Sequence, residues 1–117
     1  MNYSLSLFLL VQFFNFTVSN NEKCELNTLA HFETETDEFG DKKQIWNLHF
    51  NCKPSKVKVQ LLNRFGKIVL TNEVFLTGED SIKIEAPKVK PQTLFYSVEV
   101  YQNDDKYSFD GLVKLAS

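Results

Sequence analysis

The chain offers few side chains able to do chemistry, and their spacing limits what that chemistry is. Cys24 and Cys52 are its only thiols. No CxxC or HxxxH spacing accompanies them, so a zinc site is not indicated. An even pair in an oxidising compartment reads as a disulfide, with two free buried thiols as the alternative. Closing a loop of this length stabilises by roughly 3–4 kcal/mol in chain-entropy terms. His31 and His49 are the only imidazoles. No Gly-x-Ser-x-Gly elbow, phosphate loop or HExxH pattern goes with them, and a triad through Ser55 or Ser81 has no supporting spacing. The run Glu33-Thr34-Glu35-Thr36-Asp37-Glu38-Phe39-Gly40-Asp41 alternates acids as a calcium loop does. It lacks glycine at the sixth position and carries Gln44 where the closing glutamate belongs, so it reads as a solvated acidic loop. No catalytic residue, cofactor or metal is expected, and the chain is read as non-enzymatic.

The elements that must carry these residues lie beyond a leader. Positions 1–19 hold no charged side chain and include the apolar run Leu5-Ser6-Leu7-Phe8-Leu9-Leu10-Val11. Thr17 and Ser19 have the −3 and −1 spacing of a signal-peptidase site, and the composition turns abruptly polar at Asn20. The run is short for a membrane span of about 20 residues and is interrupted by Gln12 and Asn15. Cleavage is therefore expected rather than anchoring, giving a signal peptide at 1–19 and one domain at 20–117. The sequons Asn2-Tyr3-Ser4 and Asn15-Phe16-Thr17 both fall in the leader, so no N-glycan is expected on the product. No second apolar segment follows, and the product is expected to be secreted and soluble. Its formal charge of −2 argues against a nucleic-acid partner, which calls for a basic excess.

Residues 20–117 alternate apolar and polar side chains at period two, which predicts strands and an all-β domain. Cys24, Leu26, Thr28, Ala30 and Phe32 form the inward set of a first strand, followed by a loop from Glu33 to Gln44. Trp46, Leu48, Phe50 and Cys52 alternate with Asn47, His49 and Asn51, which places His49 in solvent; His31 is read the same way. Val57, Val59 and Leu61 follow. A hairpin loop at Asn63-Arg64-Phe65-Gly66-Lys67 leads into a strand from Ile68 to Phe75. After a turn at Thr77-Gly78-Glu79-Asp80, Ile82, Ile84 and Ala86 make a short strand. Pro87 to Gln92 is a loop that brings Lys88 and Lys90 to the end of the acidic loop, an exposed attraction worth about 0–1 kcal/mol. Leu94, Tyr96, Val98 and Val100 point inward, and a polar turn at 102–106 leads to a last strand, Tyr107 to Leu115, with a bulge expected at Gly111. About seven short strands separated by turn signals make a single antiparallel β-sandwich.

The segment Val89-Lys90-Pro91-Gln92-Thr93-Leu94-Phe95-Tyr96-Ser97-Val98-Glu99-Val100 resembles the entry to strand F of fibronectin type III and immunoglobulin-like sandwiches, over roughly 45–115. The resemblance implies that Tyr96 is a corner tyrosine and Trp46 the core tryptophan of strand B. The Thr-to-Tyr spacing is one residue longer than the type III pattern. The cysteines would join strands A and B, as in N-terminal cytokine-receptor modules. The leader, early Cys24 and strand-ending Cys52 are similar to the lumenal part of the translocon-associated protein delta subunit, a family that carries a membrane span. Cys52-Lys53-Pro54-Ser55-Lys56-Val57-Lys58-Val59 is similar to nematode transthyretin-like proteins. Architecture alone follows from these likenesses, not function.

Alternation sends Phe95, Ser97 and Tyr101 outward, with Lys58 and Gln60 on the neighbouring strand. Outward aromatics on one sheet face are candidates for a partner surface, although single exposed aromatics are ordinary. The expected function is a secreted module that binds an unidentified extracellular protein through these five residues. The alternative is a carrier holding an apolar ligand between the sheets, which the high phenylalanine content permits.

Overall fold

The structure is a computed structural model and describes residues 23–116. The leader reading at 1–19 lies outside the described residues. The described chain is all-β, with eight strands in two antiparallel sheets that face each other as a sandwich. The strands are β1 (Leu26–Thr28), β2 (Glu33–Thr36), β3 (Lys42–Phe50), β4 (Lys56–Leu62), β5 (Ile68–Phe75), β6 (Ser81–Glu85), β7 (Gln92–Gln102) and β8 (Asp105–Leu115). One sheet centres on β3, with β1 and β2 along one side and β6 along the other. The second has the order β5-β4-β7-β8.

The inward positions of both sheets merge into a single core. Trp46, Leu48 and Ile84 from the first sheet and Val57, Val59, Leu61, Leu94, Val98, Val100 and Val113 from the second have no solvent exposure. Each such side chain contributes about 1.5–3 kcal/mol by leaving water. The period-two reading of these strands therefore holds residue by residue, and His31 and His49 both lie exposed.

Five details depart from the expected layout. The first strand is not continuous. After Thr28 the chain leaves β3 and crosses to the other sheet, where His31 bridges Lys114 in parallel. Lys114 N–H donates to Ala30 O at 2.8 Å, and Phe32 N–H donates to Lys114 O at 2.9 Å. Trp46 Nε1 donates to Leu29 O at 3.0 Å, which holds the crossing in place from below. Ala30 is consequently exposed rather than inward. The strand count rises to eight because this one strand divides.

The stretch after the crossing is not a loop. Glu33–Thr36 pairs with Ile45–Lys42 as a hairpin, because Glu and Thr alternating on a sheet edge leave both charges in water while the backbone pairs. Asp37 closes that hairpin, its Oδ1 accepting from Phe39 N–H and Asp41 N–H at 2.9 Å each. That carboxylate is committed to its turn. The ion pair of this region is Glu35 with Lys83 at 3.3 Å, reached across β3, rather than one with Lys88 or Lys90.

Tyr96 lies inside β7, not at a corner. Its ring centroid is 4.9 Å from that of Trp46. Gly111 makes no bulge, since the β7–β8 register runs unbroken from Gln92↔Leu115 to Gln102↔Asp105. The register shift falls instead between Leu61 and Leu62, in the β4–β5 ladder.

The bridge Cys24–Cys52 is formed, with Cα atoms 5.3 Å apart, inside the range a disulfide spans without backbone movement. It ties the segment before β1 to the end of β3, so it lies within one sheet. Asn51 adds two bonds to the same segment, to Glu25 N–H at 2.6 Å and to Lys23 O at 3.1 Å. Such a bridge is compatible with an extracellular or lumenal location.

Candidate functional site

The two outer faces of the sandwich differ. On the sheet centred on β3 most outward side chains are polar, and two contacts join them across strands: Asn47 Nδ2 donates to Glu33 Oε1 at 3.2 Å, and Lys83 pairs with Glu35. Neither imidazole makes a side-chain hydrogen bond among the described residues, and no group of His, Cys, Asp and Glu among them is placed to hold a metal.

The outer face of the sheet β5-β4-β7-β8 is ordered in rows by its register. The first row runs Phe75, Lys56, Tyr101, Lys106, the next Glu73, Lys58, Glu99, Ser108, and the third Thr71, Gln60, Ser97, Asp110. The fourth is Ile68, Leu62, Phe95, Leu112. Most charges of the first two rows are paired, although Lys58 makes no ion pair among the described residues. Lys56 Nζ lies 3.7 Å from Glu73 and 4.4 Å above the Tyr101 ring, and Lys106 lies 3.8 Å from Glu99. Tyr101 OH donates to Glu99 Oε1 at 2.9 Å. That bond, together with the nearby carboxylate charges, raises the phenol above its ordinary value, because ionising it would lose the donor and set like charges together.

The fourth row is different in kind. All four of its side chains are apolar, and Ile68, Phe95 and Leu112 are each about half exposed, at 50%, 48% and 52%. An open recess of about 430 Å3 runs along it, lined by Leu62, Phe95, Ser97 and Leu112 among others. Two residues before Phe95 on β7, Thr93 borders a second recess of about 580 Å3 between the β4–β5 hairpin and the loop before β7. Arg64, Lys90 and Phe65 line that recess and no carboxylate does. Phe65 is 79% exposed, with the Arg64 guanidinium 4.9 Å from its ring centre. Asn63 shapes the hairpin, its Oδ1 accepting from Phe65 N–H and Lys67 N–H, and Gly66 takes the positive φ the turn requires.

The five residues expected at a partner surface thus share one face, but they do not form one patch. Gln60 and Ser97 are directly opposed in the polar third row. Tyr101 and Lys58 belong to the charged rows, and Tyr101 stands six positions along β7 from Phe95, roughly 20 Å of strand. Phe95 alone lies in the apolar row. Leu62, Ile68 and Leu112 complete it and were not singled out by sequence. Each is one outward aliphatic in its own strand, and only pairing register aligns them.

Comparison with known protein families, with curated proteins and with solved structures finds no match for this chain.

Proposed function

We propose that this chain is a secreted, non-enzymatic recognition module of fibronectin type III or immunoglobulin-like design. Its partner is an extracellular protein docking on the outer face of the sheet β5-β4-β7-β8. The observation that carries the reading is the apolar row Ile68–Leu62–Phe95–Leu112, half exposed at three of its four positions on a face whose other rows are dominated by polar and charged side chains. Half-exposed apolar side chains aligned over four strands are retained at a cost in solubility, and a partner surface removes that cost. Arg64 and Lys90 at the near end favour an apolar patch bordered by carboxylates. Secretion is supported by the single bridge and by a charge-free leader composition.

The strand order supports the type III side of the resemblance. In immunoglobulin constant domains the fourth strand of the fold lies in the same sheet as the first, second and fifth. Here β5 pairs with β4, so the extra strand belongs to the sheet that also holds β7 and β8. The carrier reading is the weaker one, because Trp46, Leu61, Leu94, Val98 and Val100 fill the space between the sheets with no exposure.

The test compares wild type with a Phe95→Ser, Leu112→Ser double variant as bait in fluid from the secreting tissue, followed by calorimetry against each purified captured protein. Both positions are half exposed, so the variant is expected to keep its fold and to lose affinity at least about tenfold, as removal of interface anchors does. Equal affinity for both baits would remove this face as the site.

A further inference from the structure

The sheet β5-β4-β7-β8 ends in a long edge strand, β5, with no strand paired on its outer side among the described residues. β5 ends the strand order β5-β4-β7-β8, and its backbone has a definite polarity. Leu76 N–H donates to Ser55 O at 3.0 Å, which sets the phase of the β4–β5 ladder. Hydrogen-bonded residues alternate along an antiparallel pair, so Val74, Asn72 and Leu70 turn their amides toward β4. Thr71, Glu73 and Phe75 turn theirs outward. The opposite edge obeys the same rule: Lys114 points outward from β8, and there the crossing segment 30–32 takes up both of its backbone groups. No strand among the described residues covers β5.

This edge also lacks the usual protection. Natural edges are blunted by short length, lysine or proline. β5 spans Ile68–Phe75, whereas β1, β2 and β6 have only 3, 4 and 5 residues. It holds neither Lys nor Pro. Its one charge, Glu73, pairs with Lys56 of its own sheet at 3.7 Å. The bulge in its pairing lies near its start, at Leu61/Leu62.

We infer that β5 is a dimerisation edge, to which a second copy of this chain adds its own β5 antiparallel, in a register centred on Asn72. The ladder phase and the side chains select that register. A two-fold centred between residues sets an outward amide against an inward one and forms no ladder. Centring on Glu73 puts two like charges directly opposite, which is unfavourable. Centring on Thr71 sets Leu70 against Asn72. Centring on Asn72 pairs Leu70 with Val74, Thr71 with Glu73 and Val69 with Phe75, and the outward amides of Thr71 and Glu73 supply about four inter-chain hydrogen bonds. Leu70 and Val74 already pack against the core, so their pairing extends the core across the two-fold. Phe75, 73% exposed, and Ile68, 50% exposed, meet from opposite copies at each end. Two four-stranded sheets become one continuous sheet, closed by two-fold symmetry.

Sedimentation equilibrium of the purified protein tests this against Thr71→Pro. Proline is accepted on an edge strand where its N–H faced solvent, so the variant loses an edge donor and keeps the β4–β5 ladder. Wild type is expected to rise with concentration to twice the protomer mass, and Thr71→Pro to stay at the protomer mass with an unchanged circular dichroism spectrum. Should Thr71→Pro not fold, Asn72→Lys sets like charges across the two-fold without touching the ladder and reads the same outcome. Hydrogen exchange supplies a measurement on wild type alone: the amides of Thr71 and Glu73 gain protection as concentration rises. A protomer mass persisting into the millimolar range, or association with those amides unprotected, overturns the proposal. The Phe95→Ser, Leu112→Ser variant is expected to dimerise as wild type does, which separates this edge from the partner face.

Discussion

Gly111 lies directly opposite Tyr96 across the β7–β8 ladder, and a Cβ at that glycine would fall 2.6 Å from Tyr96 Cζ and from its hydroxyl oxygen. The missing side chain is the socket for the ring. With Trp46 at 4.9 Å on the facing sheet, the ring is confined by both layers, and the pair links β8 to the centre of the core.

Gly111→Ala is therefore expected to destabilise the fold by about 1–3 kcal/mol, the range for overpacking a filled site. Urea denaturation followed by Trp46 fluorescence measures it. Combining it with Tyr96→Leu, which clears the socket, should recover part of the loss, and strictly additive effects would mean that the two residues do not share the site.

The bridge is expected to carry a large share of the stability of so small a domain. Cys24 and Cys52 are separated by 28 positions, for which the chain-entropy model gives about 3–4 kcal/mol. Reduction, or the double change Cys24→Ala with Cys52→Ala, should lower the denaturation midpoint accordingly. Native protein from a secreting host should show no titratable thiol and an intact mass starting at Asn20. Two free thiols in native material would contradict the bridge.

Tyr101 provides a test in alkali. Its phenol is raised from the ordinary value of 10.0, first by donating to Glu99 and then by partial desolvation and carboxylate charge. A raised folded-state value means that the contribution of the contact is complete below the unfolded tyrosine value and is lost as pH rises through the folded one. Tyrosinate absorbance should show one phenol ionising late, and Glu99→Gln should move that ionisation to lower pH. An unchanged titration curve in Glu99→Gln would show that the bond does not persist in solution.

Much of this fold is legible in the chain itself. Trp46, Leu48 and Phe50, and Val57, Val59 and Leu61, declare their buried faces by alternation alone, because a strand turns successive side chains to opposite sides whatever it pairs with. The turn at Asn63–Lys67 is equally local, resting on one asparagine side chain and the positive φ of Gly66. The acidic run was misleading for a related reason: Glu33–Thr36 has the composition of a loop, but an edge strand with both faces in water places no apolar demand on its residues.

The all-β class, the inward and outward sets of most strands, and a pair of cysteines on elements able to meet follow from the order of residues alone. The folded arrangement of strands sets Phe95 in a row with Leu62, Ile68 and Leu112 while Tyr101 belongs to a charged ladder. It also decided that the first strand changes sheets at 29–32, and that Gly111 receives a ring instead of bulging. The physical reason is that side-chain alternation is a property of neighbouring residues, whereas register, crossing and close approach are set by which distant strands hydrogen-bond and how the two sheets fill the space between them.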